Sequence, residues 1–298
     1  MKQEHLLDLE NESIYILREV AAQFKKPVLL FSGGKDSIVV AHLAKKAFYP
    51  APIPFPLMHV DTGHNFPETI VFRDAFVEKN SLELIVRTVQ ESIDANRAIE
   101  ETGKYASRNS LQTVTLLDAI EEFAFDVCIG GARRDEEKSR AKERIFSIRD
   151  DFGQWDSKNQ RPEPFLQLNP KIHIGENVRA FPISNWTEKD IWDYIIQENL
   201  ELPSIYFAHQ RKLVERDGAF LAHSPYLNLD TSDKIFEATV RFRTVGDMTC
   251  TAALLSAAFT TTEVLAENLA SQHSERGARL DDQRSESALE ERKKGGYF

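Results

Sequence analysis

Apolar residues first recur at helical spacing: Leu6, Leu9, Ile16, Val20 and Phe24 predict an amphipathic helix over 6–24. After Pro27 the pattern changes to the unbroken run Val28, Leu29, Leu30, Phe31, which predicts a short strand buried on both faces, as in a parallel sheet. Gly33 and Gly34 end it, and Ile38, Val39, Ala41, His42 and Leu43 resume a helical pattern, so the first unit reads strand, tight turn, helix. The alternation continues with a strand over 57–61, a helix over 68–78 and a strand over 84–86. A helix over 111–124 follows, then a strand over 126–129 closed by Gly130 and Gly131, and a fifth strand over 178–183. The expected fold is α/β, a doubly wound, mainly parallel five-stranded sheet, whose ligands sit beyond the carboxyl ends of its strands. The loops after Phe31, Val60 and Ile129 are then the places where chemistry belongs.

Past residue 184 the alternation fades. Thr187 and Asp190 fit a capping box before Ile191, Trp192, Ile195 and Ile196, so one helix is expected there. The stretch 150–177, with Pro162, Pro164 and Pro170, reads as a long loop that could cover a site. A second helical block is expected over 251–270, broken at Thr260, Thr261 and Thr262. The organisation read from this is a nucleotide-binding α/β domain over 1–200, an irregular and helical extension over 201–273, and a tail over 274–298. That tail balances six acidic against six basic groups and is expected to be disordered alone or ordered by a partner. The run Pro50, Pro52, Pro54, Pro56 reads as a stiff connector.

Composition narrows the function classes. At 298 residues with 28% charged and 42% hydrophobic residues the chain is an ordinary globular protein, and wholesale disorder is ruled out. The net charge of −10 argues against broad binding to nucleic acid or anionic membranes, so any anion site must be local. Two cysteines, Cys128 and Cys250, are too few for a disulfide scaffold and form no Cys-x-x-Cys pair. Charges at Lys2, Glu4, Asp8 and Glu10 interrupt any leader-like apolar run. The expectation is a cytoplasmic protein.

The strongest local signal is Ser32, Gly33, Gly34, Lys35, Asp36, Ser37, between a buried strand and a helix. Two glycines allow a turn whose backbone N–H groups face an anion, the helix start adds partial positive charge, and Lys35 adds a full one. It is not a Walker A loop, which would need glycine at Leu29 and Ser or Thr at Asp36. Asp61 and Thr62 end a strand before Gly63, at the sheet edge where nucleotides bind, although a strand-end Asp can also be a turn residue. Gly130 and Gly131 could be a strand stop or the place where a flat adenine approaches the backbone; the adenine reading is favoured. Between 131 and 149 seven basic residues stand against four acidic ones. Arg133 and Arg134, nearest the strand end, are the candidates for binding a tetrahedral oxyanion, with Lys138 and Arg140 as further contacts. The rest of this island could equally be a solvated helix. Arg241 and Arg243 alternate across Phe242 and are either a second cationic pair near the pocket or structural ion pairs. The histidines show no metal-ligand spacing.

The Ser32–Ser37 segment resembles the pyrophosphate-binding loop of the adenine nucleotide α-hydrolase-like (PP-loop) ATP pyrophosphatases. Five further segments narrow the resemblance: HVDTGHNF (59–66), GGARRDEEKSRAKERIFS (130–147), WTEKDIWDY (186–194), RFRTVGDMTCT (241–251) and RKKGGYF (292–298). Together they are similar, end to end, to the small, catalytic subunits of bacterial ATP sulfurylases, within the phosphoadenylyl-sulfate reductase superfamily. The resemblance implies a nucleotidyltransferase of sulfate assimilation that moves AMP from ATP to sulfate, releasing pyrophosphate. It implies Mg2+ arriving with ATP, no protein-bound metal or iron–sulfur cluster, and a GTPase large subunit as heterodimer partner. On these residues it implies ATP binding by Ser32, Gly33, Gly34, Lys35, Asp36, Ser37, Asp61, Thr62, Gly130 and Gly131, and catalysis by Lys35, Arg133 and Arg134. Rival readings are an adenylyl-sulfate or phosphoadenylyl-sulfate reductase and a non-catalytic nucleotide sensor. The reductases use a cysteine in a C-terminal Cys-Gly-Leu-His context, and here no cysteine follows Cys250.

Overall fold

Helix α1 (Lys2–Gln23) leads into β1 (Pro27–Leu30), α2 (Lys35–Phe48), β2 (Leu57–Asp61), α3 (Pro67–Lys79), β3 (Leu84–Thr88), α4 (Val89–Asp94), α5 (Gln112–Phe123) and β4 (Val127–Ile129). The computed structural model of the chain describes residues 2–136, 138–155 and 157–271, excepting the side chains of 2, 3, 138 and 139; the expected tail 274–298 lies outside the described residues. Strands β5 (Phe146–Arg149) and β6 (Asn177–Ala180) complete a six-stranded sheet of order β3-β2-β1-β4-β6-β5. All its pairings are parallel except β5 with β6. The apolar run of β1 divides by strand alternation: Leu29 and Phe31 pack towards α1 and α2, while Val28 and Leu30 pack with Leu116, Ala119 and Ile120 of α5. A strand buried on both faces needs apolar residues at every position, which is why the unbroken pattern was diagnostic.

Three differences from the sequence reading have physical causes. The sheet has six strands rather than five because β5, inside the charged island, pairs antiparallel with β6. Phe146 and Ile148 enter the apolar core, whereas Ser147 and Arg149 alternate onto a buried polar layer, so the segment does not look like a strand. The 150–177 stretch is largely irregular, as expected, but what it covers is a sheet edge. Glu163 accepts the N–H groups of Ile145 and Phe146 at 3.0 and 2.7 Å, and Gln160 pairs with both backbone groups of Ile148 at 2.9 and 3.0 Å. Side chains thus satisfy the open edge of β5, which otherwise invites pairing with another chain.

Residues 201–271 are not irregular and helical throughout. After α6 (Glu188–Gln197), strands β7 (His209–Arg216), β8 (Ala219–Ala222), β9 (Lys234–Phe242) and β10 (Ala252–Leu255) close an antiparallel barrel of order β10-β8-β7-β9. The helical block expected over 251–270 resolves into β10 and α7 (Thr261–Ala270). The break falls where it was expected: Thr260 is the N-cap of α7, in a capping box with Glu263. The capping box of α6, Thr187 with Asp190, also forms. The barrel docks on the sheet through a bridge between Asn65 and Asp247 and through the Met248 N–H donating to the His64 carbonyl at 2.9 Å.

Candidate active site

Strand β1 has β2 on one side and β4 on the other, and the chain winds outward from it in both directions. Such a switch point leaves a crevice beyond the strand ends. Here the segments after β1 and after β4 form its walls, with Ser32, Gly34, Ser37 and Gly131 lining the cleft. Gly33 adopts φ +74°, a conformation that favours glycine, and Gly34 is the N-cap of α2. The Ser32 hydroxyl accepts the Gly34 N–H at 3.2 Å, and the Ser37 hydroxyl donates to the Gly34 carbonyl at 2.9 Å. The first turn of α2 therefore opens on the cleft, where its N–H groups and dipole favour a phosphate. A Cβ on Gly131 would lie 3.0 Å from Asp36 Cβ and 3.3 Å from Ser37 N, so the two loops pack backbone against backbone.

The expected cations are tied together by Asp36. Lys35 Nζ lies 2.8 Å from Asp36 Oδ2, and Arg133 Nε donates to Asp36 Oδ1 at 2.9 Å. Lys35 and Arg133 are both 1% exposed and stand behind the cleft wall. Arg134 is turned elsewhere: Nε and Nη2 donate to the Glu143 carbonyl at 3.3 and 3.2 Å, and Nη1 donates to Asn185 Oδ1. It staples the charged island to the turn after β6.

Comparison with known proteins decides between the substrates such a cleft could serve. The family model for the phosphoadenosine phosphosulfate reductase domain matches residues 26–253. Sulfate adenylyltransferase subunit 2 of Mycolicibacterium gilvum (strain PYR-GCK) is 58% identical over 295 residues, 99% of this chain and 94% of that one. The same protein of Mycobacterium tuberculosis (strain ATCC 25618 / H37Rv) matches at the same identity and coverage. The chain belongs to the sulfate adenylyltransferase subunit 2 family.

In this family member the β2 loop is shaped by its own side chains. Asp61 Oδ1 accepts the Gly63 N–H at 2.7 Å and the Asn65 amide at 2.9 Å, and Thr62 Oγ1 accepts the His64 N–H at 3.0 Å. The cleft face of this region is carried by His59, Val60 and Asn65. Gly130 extends the ladder, donating to the Ala180 carbonyl at 2.8 Å, and Gly131 is the member of the pair that reaches the cleft.

Arg140 lies on the cleft wall at 1% exposure, its Nη1 3.1 Å from Glu143 Oε2. The side chain of Lys138 lies outside the described residues. The alternation of Arg241 and Arg243 is that of strand β9, but both engage carboxylates away from the cleft wall. Arg241 holds Glu267 and Asn268 of α7, both at 2.8 Å, and Arg243 holds Glu188 of α6 at 2.6 Å. They anchor the barrel to two helices of the body.

Sequence reasoning missed His59, Tyr206 and the Thr244–Gly246 loop, all of which line the cleft. His59 Nδ1 is 2.8 Å from the Phe31 carbonyl. A carbonyl only accepts, so Nδ1 carries the proton, and burial pushes the imidazole pKa below its ordinary value. The buried Nε2 has no partner among the described residues and is left as an acceptor. A lone polar residue near the end of a buried strand was the available signal for it. Tyr206 gives no local signal; its hydroxyl accepts the Lys35 N–H at 3.0 Å from across the fold.

Among the described residues no cluster of three His, Cys, Asp or Glu could hold a metal ion, and no helix is long and apolar enough to cross a membrane. Both cysteines are buried and outside any disulfide, and burial pushes the Cys128 thiol up.

Proposed function

We propose that this chain is the catalytic subunit of an ATP sulfurylase: sulfate attacks the α-phosphorus of ATP, the α–β phosphoanhydride breaks, and pyrophosphate leaves as adenosine 5′-phosphosulfate forms. The observation that carries the reading is identity of 58% across 99% of the chain to relatives named for that reaction, with the Ser32–Ser37 turn opening on the switch-point cleft. Sulfate is fully ionised at neutral pH, so its attack requires no general base. What the reaction needs is alignment of nucleophile and leaving group and stabilisation of negative charge.

In this reading Gly33, Gly34, Lys35 and Ser37 hold the departing pyrophosphate, its oxygens replacing the Ser32 and Tyr206 hydroxyls as acceptors of the Gly34 and Lys35 N–H groups, with Ser32 shaping the turn. Lys35 and Arg133, joined through Asp36, stand behind the cradle and act as positioning cations. Arg134 acts at one remove, fixing the island in which Arg133 and Arg140 stand. Gly131 admits the adenine face, and Asp61 and Thr62 shape the wall beside the nucleoside. Residues 1–200 supply the nucleotide site, and the 201–273 unit closes it with Tyr206 and Thr244–Gly246. Magnesium enters as part of the substrate, held by phosphates and water. Burial raises the Cys128 thiol pKa and makes that thiol a poor nucleophile, which disfavours reductive chemistry there.

A sulfate–phosphate anhydride is more energetic than the phosphoanhydride it replaces, so the forward reaction is uphill. We assign the drive to GTP hydrolysis on a large partner subunit, in the reducing cytoplasm that two cysteines outside any disulfide suit. The test is pyrophosphate release from ATP with and without sulfate, by the chain alone and then with the GTPase subunit and GTP. Release that requires sulfate and rises with the partner and GTP is expected; ATP binding without release under any condition would make the chain a nucleotide sensor.

A further inference from the structure

Behind the β4 side of the cleft the sheet carries a polar layer where its other regions carry a hydrophobic one. Register places Ser147 opposite Arg179 and Arg149 opposite Asn177, and Ser147, Arg149 and Arg179 are fully buried. Glu143, itself 3% exposed, joins this layer to the cleft. Its Oε1 lies 2.9 Å from Arg149 Nη2 and accepts the Ser147 hydroxyl at 3.0 Å, while its Oε2 lies 3.1 Å from Arg140 Nη1. One carboxylate thus stands between two buried guanidinium groups. Arg149 is pushed down to about 10, by burial first, with Glu143 opposing and Arg179 adding to the shift.

Arg140 is the member of this layer on the cleft wall. Glu143 takes only its Nη1, and the guanidinium lies 5.9 Å from the Phe181 ring centroid, so the side chain is held from two directions. The remaining edge, Nε and Nη2, is buried and has no hydrogen-bond partner among the described residues. Those two donors form the fork that binds a tetrahedral oxyanion through two oxygens.

Position along the reaction axis selects the anion. The leaving pyrophosphate belongs at the β1 loop, and an in-line displacement brings the nucleophile from the opposite side of the α-phosphorus. Arg140 lies on the β4 flank, with Gly131, Ala132 and Glu136. A cation there is what a dianion needs to approach the polyanionic nucleotide. Glu136 shares that flank but is partly committed, accepting the Arg133 N–H at 3.3 Å.

We propose that the Nε–Nη2 edge of Arg140 is the binding site of the acceptor sulfate, and that Glu143 and Arg149 are positioning residues that lock its fork. This assignment rests on the adenylyl-transfer reading and moves the acceptor contact from Arg133 and Arg134, which the fold engages elsewhere, to Arg140.

The test uses the full-length chain and two variants. Arg140→Lys keeps the charge and removes the fork; Glu143→Gln keeps the shape and removes the charge that holds it. Arg140→Lys should raise the KM for sulfate by about tenfold to a hundredfold, the loss of charge-assisted hydrogen bonds. The Kd for the non-hydrolysable analogue AMPCPP should stay within about twofold, because the same bonds are not made to the nucleotide. Glu143→Gln should raise the KM for sulfate more than it lowers kcat, a split that general loss of structure would not give. An unchanged sulfate KM in either folded variant would overturn the proposal. A weakened AMPCPP Kd with an unchanged sulfate KM would assign Arg140 to the α-phosphate instead, which also overturns it. Calorimetric titration of sulfate into the AMPCPP-loaded protein separates the two readings. If wild-type chain binds sulfate and Arg140→Lys does not, while neither releases pyrophosphate, the anion site stands and the catalytic reading falls. If wild-type chain does not bind sulfate, the anion site falls.

Discussion

Asp36 is the residue on which the two loops of the cleft depend, and Asp36→Asn is the change that tests this. The carboxylate receives Lys35 Nζ on one oxygen at 2.8 Å and Arg133 Nε on the other at 2.9 Å. Side-chain exposures are 1% for Lys35, 0% for Arg133 and 20% for Asp36, so both cations are removed from water while the acid keeps some contact with it. An amide offers one acceptor where the carboxylate offered two, so one cation must face an NH2 group. A hydrogen bond to a charged group contributes about 1.5–3 kcal/mol, and removing one partner of a buried pair costs more than the pair contributes. With Asp36 partly solvated, the lower part of that range applies: one lost bond and one weakened bond give about 2–4 kcal/mol. For a chain of this size that is a fall in Tm of roughly 3–6 °C. Urea denaturation followed by far-ultraviolet circular dichroism reads the stability, and turnover with saturating ATP reads the alignment of the loops. Turnover should fall with stability, since Lys35 and Arg133 no longer share an anchor. A variant within about 0.5 kcal/mol of wild type, the scatter of ordinary surface substitutions, would show that Asp36 is not the tie between them.

Gly131→Ala should cost about 1–3 kcal/mol, because the new methyl meets Asp36 and Ser37 at 3.0–3.3 Å and two of the atoms it meets are backbone; it should weaken AMPCPP binding measurably by calorimetry, and unchanged binding would mean the loops can separate freely. Lys35→Ala should lower turnover by at least about tenfold, equivalent to about 1.4 kcal/mol of transition-state stabilisation; a folded, fully active variant removes Lys35 from the account. Burial holds His59 neutral in the fold, below its ordinary pKa of 6.5. As pH falls through 6.5 the unfolded chain takes up a proton that the fold refuses, so the stability from this group is complete above that pH and is lost as pH falls towards the folded pKa. His59→Asn, whose amide can still donate to the Phe31 carbonyl, should flatten the fall in stability between about pH 7 and 5 by up to about 1.4 kcal/mol per pH unit; identical slopes would contradict this.

What could be read from the sequence was what is local. The run Val28–Phe31, the two glycines and the restart at Ile38 define strand, turn and helix within a dozen neighbours, and burial on both faces forces that pattern. Thr187 and Thr260 were readable for the same reason: a cap and its N3 partner lie three residues apart. Strand β5 was hidden because Arg149 and Ser147 face a buried polar layer rather than the core, so its period-2 signal looks like a charged loop. Strand β7 reads HQRKLVER, with only Leu213, Val214 and Arg216 buried, so little in its pattern marks a strand, and beside its hairpin with β8 it pairs along its length with β9. Arg241 and Arg243 show why a cation's role resists local reading. Their alternation marks a strand face correctly, yet the acids they meet lie 26 and 55 residues away. Arg140 is the converse, a residue inside an ordinary-looking charge run that the fold buries on the cleft wall.

Transfer of the adenylyl group to sulfate is tested most directly by following that group. ATP radiolabelled at the α-phosphorus is incubated with the chain, the proposed GTPase partner, GTP and varied sulfate, and the labelled products are separated. Label should pass into a single sulfate-dependent product with the mobility of adenosine 5′-phosphosulfate, in amounts equal to the pyrophosphate released. Label recovered as AMP or ADP in amounts independent of sulfate would contradict it.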